Sequence, residues 1–405
     1  MKTPRILNLT TLTAVLLGGA GGWMLHSFFS VPPDSPAGNH SVVPRISPGE
    51  VKAAPGIPAA GPQQDSETAE IATISLPEAH SAAFADLIRG TFRDPLKERR
   101  LGRLQILLEK CGPEHFAAMV PLIRENDLRG TGSGDEWSLL WGQWGQKAGA
   151  AAMQAVQDLD WKGWDPAAPA EGQYKALSGW ATVDPAAARR YLEEMTGTVH
   201  KGNPLSLAVL RGWSVTDPAG AADWLRQRGT GTRDEYRAVV EAMGRREGPE
   251  AVDAWLAGLG KKEDSAAVRG FAEAVSYAKR HQDPAAAAAW VEQHLKEPWM
   301  QGSPVIQNTA SAYAQRDPAG AMAWAARTGL SNAAGIAMRQ WCESDVGAAC
   351  EWLQANRQSP AYSPAVISLV NRYRGEDPDA ARLWANTIPD EGLRQKVLET
   401  LPAEE

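Results

Sequence analysis

Apolar and small residues recur along this chain in two registers, one too long for a soluble helix and one that repeats. The first lies at the start: from Ile6 to Pro33 no side chain is charged, and Leu12 to Phe29 is apolar or small except for Thr13, His26 and Ser27. Such a stretch predicts a membrane-spanning helix, which needs about 20 apolar residues. Lys2 and Arg5 precede it and the next charge is Asp34, so the positive-inside tendency keeps the N-terminus cytoplasmic and places the body outside the cytoplasm, in the periplasm. A cleaved signal peptide, with Gly18 and Ala20 at the cleavage site, is the competing reading.

The second register is periodic. Asp-Pro recurs at Asp184, Asp217, Asp283, Asp317 and Asp377, while Gly248-Pro249 and Asp345-Val346 fill the gaps. The steps are 33, 31, 35, 34, 28 and 32 residues, and seven positions after each landmark stands an aromatic: Tyr191, Trp224, Trp255, Trp290, Trp324, Trp352 and Trp384. Asp accepts hydrogen bonds from the free N–H groups of a helix start, and Pro in the first turn lacks a donor that would go unused. Each landmark therefore predicts a new helix, with small residues at plus three and plus four on the aromatic's face. Four residues upstream stand Trp180, Trp213, Tyr313, Trp341 and Tyr373, which predict a second amphipathic helix ending at the landmark. The unit is an antiparallel helix pair, and such units stack.

This predicts an all-α fold: an αα-hairpin repeat solenoid with a period of about 33 residues, behind a transmembrane segment and a linker. The expected layout is 1–31 anchor, 32–73 disordered Pro/Ala/Gly-rich linker, 74–134 capping helices and 135–405 repeat array. Eight of the 33 residues from Pro32 to Gln64 are proline, which suits an extended spacer. Asp94-Pro95 and Gly112-Pro113 are expected to open capping helices, and Trp144 with Ala148, Ala151 and Ala152 reads as a degenerate unit.

Units of about 33 residues with aromatic and small positions at fixed offsets resemble the tetratricopeptide-like helical repeats over roughly residues 135–400. Tetratricopeptide units place their proline near the end of the second helix, whereas Asp-Pro starts a helix here. The whole layout also resembles bacterial membrane-anchored repeat proteins of uncharacterised role. The resemblance implies scaffolding and protein binding.

Composition narrows the chemistry. With 41 Lys plus Arg against 48 Asp plus Glu the net charge is -7, which argues against a nucleic-acid partner. The seven histidines show no i, i+4 pair, so no metal centre is expected, and with neither a phosphate loop nor a nucleophile elbow we expect no cofactor and no catalysis. The expected role is a non-enzymatic scaffold for a protein or peptide partner; the alternative is a cell-wall or polysaccharide-binding or polysaccharide-active toroid.

Nine of the 16 tryptophans occupy repeat positions, where burial explains them. Trp137, Trp141, Trp161, Trp164 and Trp299 lie outside the register and are candidates for an exposed recognition surface, against packing under loops. Arg93, Lys97, Arg99, Arg100 and Arg103 form a basic run that could meet an acidic partner or anionic headgroups, against a solvated helix face. Cys342 and Cys350 flank the Asp345 turn as candidates for a disulfide, and Gly18 with Gly22 could bring two anchors together in a homodimer.

Overall fold

The computed structural model describes residues 75–128, 134–196, 203–260 and 266–402. The expected anchor, the linker and the Gly18–Gly22 contact lie outside them. Among the described residues there is no strand, and no helix is long and apolar enough to cross a membrane.

Three helices lead: α1 (Ala82–Phe92), α2 (Lys97–Lys110) and α3 (Pro113–Leu128). The helix expected at Asp94-Pro95 begins at Lys97 instead, because the Asp94 carboxylate accepts from the Leu96 N–H and holds that segment as a turn. Phe84, Leu104, Leu108, Phe116 and Ile123 bury the inner faces of these helices. Helices α2 and α3 lean on α4 (Gly134–Asp158), whose backbone breaks at Ala148, at φ -155° and ψ 65°. That conformation is close to the one adopted by the landmark aspartates, so α4 is itself a helix pair with Ala148 in the landmark's place.

Seven pairs follow. Their first helices are α5 (Ala168–Val183), α7 (Pro204–Thr216), α9 (Arg233–Glu247), α11 (Ala266–Gln282), α13 (Val305–Arg316), α15 (Ser331–Ser344) and α17 (Tyr362–Tyr373). Their second helices are α6 (Pro185–Thr196), α8 (Pro218–Arg228), α10 (Pro249–Gly260), α12 (Pro284–His294), α14 (Pro318–Thr328), α16 (Val346–Ala355) and α18 (Pro378–Ala385), and α19 (Glu391–Leu398) closes the chain. Each first helix packs on the next first helix, while each second helix packs on its own partner and on the first helix that follows. The described residues are all-α, and their helices meet mainly their sequence neighbours, as helical repeats do.

One aspartate makes the turn in six of the seven pairs. The Asp217 N–H donates to the Trp213 carbonyl at 2.9 Å, ending α7, while the Asp217 carboxylate accepts from the Gly220 N–H at 2.9 Å, starting α8. Asp317 does the same, from its own N–H to Tyr313 and from the Gly320 N–H to its carboxylate at 2.8 Å. Gly248 differs: its φ of 89° lies where only glycine is at ease, so an aspartate cannot hold this turn in the same shape. Neighbouring units are stitched at the turns. Arg246 donates to the Thr216 carbonyl at 2.6 Å, and Arg316 donates to the Gln282 carbonyl at 3.2 Å, satisfying carbonyls that helix ends leave free.

The periodic aromatics are mortar. All twelve are buried or half-buried, and Trp324 is 1% exposed. In three pairs the upstream and downstream rings meet: Trp180 with Tyr191 at 5.4 Å, Trp213 with Trp224 at 6.1 Å, Trp341 with Trp352 at 6.4 Å. The two pairs at Gly248 and Asp283 have no upstream ring, because four residues upstream stand Gly244 and Lys279. Trp255 turns to Phe271 instead, at 4.8 Å, and Trp290 to Trp299, at 5.8 Å.

Candidate functional site

The predicted recognition tryptophans do not form an exposed surface. Trp299 is 2% exposed, held in a 3-10 turn (Pro298–Met300) as the ring that Trp290 lacks within its own pair. Trp141 is also 2% exposed and stacks on Trp144 at 5.4 Å, with Phe116 stacked beyond at 5.7 Å. Trp137, Trp161 and Trp164 are half-buried and continue this aromatic column edge to face, with Trp137 and Trp161 each 4.8 Å from Trp164. Arg124 lies over Trp164 at 4.3 Å and donates to the Gly163 carbonyl, while Trp137 donates to Asp127. The column pins the connection between α4 and α5 against α3. Sequence spacing isolates these rings from the repeat, but it cannot show that a loop brings four of them together.

The basic run is largely neutralised. Arg100 is buried with its Nε 2.9 Å from Glu136, Lys97 pairs with Asp135, and Arg103 stands 3.3 Å from Asp94. The hydrogen-bonded Asp135 carboxylate raises the Lys97 pKa above its ordinary value. Arg93 and Arg99 remain exposed. The turn-by-turn spacing that groups these cations on α2 also aims two of them at the acidic start of α4. Those partners, 36 residues away in sequence for Arg100, were invisible in the local pattern.

Cys342 and Cys350 are free thiols, one buried and one half-buried, and Cys111 is buried and free. Burial pushes Cys342 up to about 11, with Cys350 close enough to add to the effect. Among the described residues no group of three or more His, Cys, Asp or Glu is gathered as a metal site.

A different cluster emerges where α9 meets α11. Arg237 lies over the Tyr277 ring at 3.6 Å and Arg280 over the same ring at 5.0 Å, a doubly cation-capped tyrosine. Arg233, Glu273 and Asn308 line the adjoining hollow with Tyr277 and Arg280. Burial lowers the Arg280 pKa, and Arg233 and Arg237 add to that effect. Burial raises the Glu273 pKa, which Arg233 and Arg280 oppose. On the neighbouring α5 and α7, burial of Lys175 lowers its pKa, with Arg211 alongside adding to it. Arg237 is also paired with Asp234 at 3.7 Å and with Glu241 at 3.9 Å, which leaves Arg233 and Arg280 facing the Glu273 carboxylate beside the ring. None of these residues stood out in the sequence, since α9 and α11 are separate helices and their charges interleave with acidic residues. Compared with protein-family models, with curated proteins and with solved structures, the chain matches none.

Proposed function

We propose that this protein is a membrane-anchored αα-repeat solenoid of tetratricopeptide-like design that holds proteins or peptides outside the cytoplasm without chemistry of its own. The observation that carries this reading is the Arg233, Arg237 and Arg280 group around Tyr277. Arg237 is held over the ring by Asp234 and Glu241, Arg233 and Arg280 offer the donors for an incoming carboxylate, and the half-buried ring offers apolar contact beside them. That combination suits a polypeptide carrying acidic residues.

The experiment is site-specific photocrosslinking of the full chain in native membranes. A photoreactive residue at the exposed Asn308, beside the cluster, should yield one discrete adduct, and Arg237→Ala with Arg280→Ala should remove it. A photoreactive residue at the exposed Glu194 of α6 should yield none. Equal adducts at both positions, or an adduct at Asn308 that survives both substitutions, contradicts the reading. Protease protection of the body in sealed spheroplasts would contradict its extracytoplasmic placement. The polysaccharide alternative asks for exposed indoles beside paired carboxylates, and every described indole is buried or half-buried.

A further inference from the structure

The two consecutive pairs that lack an upstream ring leave a space behind. A cleft of about 260 Å³ opens between α9, α10 and α11, and both Gly244 and Lys279 line it. Its floor is apolar: Val240, Val252, Val275 and Ala278. Its rim carries Glu241, Arg245 and the Lys279–Asp253 ion pair at 2.7 Å. The Lys279 ammonium, 6.0 Å from the Trp290 ring, stands where three other pairs place an aromatic against the downstream ring. Gly244 takes the same place one unit earlier, and a Cβ built there would find its nearest neighbour, Val252 Cγ2, at 3.8 Å.

We infer that this cleft is a socket for one aromatic side chain, tryptophan or tyrosine, of another polypeptide. The volume falls just below the roughly 300–1,000 Å³ of sites that hold drug-sized ligands, and it suits a single ring. Asp253 supplies polar recognition: its Oδ2 pairs with Lys279, while its Oδ1 is buried with no hydrogen-bond partner. An indole N–H or a phenol O–H entering the cleft would share the partly exposed Asp253 carboxylate, as Trp213 donates to Asp217 at 3.3 Å elsewhere in the array. Residues 32–73 contain no aromatic, and none of the described Phe, Tyr or Trp side chains is exposed, so neither the linker nor the described body of a second copy presents one. The remaining aromatics, Trp23, Phe28 and Phe29, fall in the expected anchor, so the ring is read as coming from another polypeptide. The inference rests on the reading of the array as a polypeptide binder and adds the anchor residue.

The test is fluorine NMR of fluorinated N-acetyltryptophanamide titrated into the full chain. The expected result is saturable binding that weakens by about tenfold or more in Gly244→Val, which fills the floor, and in Lys279→Tyr, which restores the repeat's ring. The melting temperature of each variant, expected to hold or rise, verifies folding independently. The amide of leucine should bind about tenfold more weakly than that of tryptophan. No saturable binding to the parent chain, or binding indifferent to both substitutions, overturns the socket. If the socket fails while the Asn308 crosslink persists, only this inference falls. If the amide binds and the crosslink is absent, the socket stands and the partner reading falls.

Discussion

Gly212 of α7 lies so close to the Ser178 carbonyl of α5 that a Cβ on it would sit 2.0 Å from the oxygen. Gly179 meets Gly142 in the same way, and Gly145 meets Ala176, so the first helices from α4 to α7 touch backbone to backbone. Gly212→Ala and Gly179→Ala are therefore expected to cost about 3 kcal/mol or more, because only a shift of whole helices relieves the overlap. Gly102→Ala, on an exposed turn of α2 with nothing within 4 Å, should instead stabilise by about 0.5–1 kcal/mol. Urea unfolding of the three variants checks both signs.

The repeat's two signature residues should differ in energetic weight. Trp290→Ala and Trp324→Ala remove rings 5% and 1% exposed and should cost about 3–5 kcal/mol each. Asp283→Ala and Asp317→Ala remove one cap hydrogen bond each, of 2.9 and 2.8 Å, and should cost about 1 kcal/mol. Equal losses in chemical denaturation would mean that the rings are not the mortar.

Much of this fold is legible in the sequence because a helix turn and a buried stripe are local patterns. An aspartate before Pro218 or Pro318 ends one helix and begins the next within a single residue, and Trp224 or Trp324 falls on the face that turn dictates. What escapes the local pattern is contact between units. The α9–α11 guanidinium cluster, the Arg100–Glu136 pair and the glycine seams depend on which residues one helix places opposite another. Asp94, which pairs with Arg103, is visible beside the basic run, whereas the acids that meet Lys97 and Arg100 arrive from α4. The off-register indoles leave two readings open, since a lone tryptophan in a loop has the same local sequence whether it faces solvent or, like Trp161, folds back to donate to Val156.

Returning Gly248 to the consensus aspartate should harm rather than help. At φ 89° a side chain is strained, so Gly248→Asp is expected to destabilise by about 1–2 kcal/mol despite restoring the motif. A rise in thermal midpoint would show that the turn relaxes into the shape of its neighbours.

Arg100 and Glu136 form a buried pair whose side chains are 9% and 0% exposed. Glu136→Gln should cost about 3 kcal/mol by stranding the guanidinium, while Arg100→Met combined with Glu136→Leu should recover most of that loss. A double-mutant cycle by denaturant unfolding measures the coupling.

Alkaline pH should loosen the body. Burial pushes Cys111 up to about 12 and Cys342 up to about 11, above the ordinary thiol value of 9.0. A raised folded pKa keeps its stabilisation in full below 9.0 and loses it as pH climbs toward the folded values, since the unfolded thiols ionise first. The melting temperature should fall across that window, and Cys111→Ala should make the fall shallower. Thiol reagents at pH 8 should react rapidly with Cys111 and Cys342 only after denaturation.

Iodide quenching of tryptophan fluorescence in the full chain tests most directly whether the indoles bind the hairpins together. Shielded rings predict blue-shifted emission and weak quenching that becomes strong only when guanidinium unfolds the body. Emission already at the position of free tryptophan, with quenching unchanged by unfolding, would contradict the account.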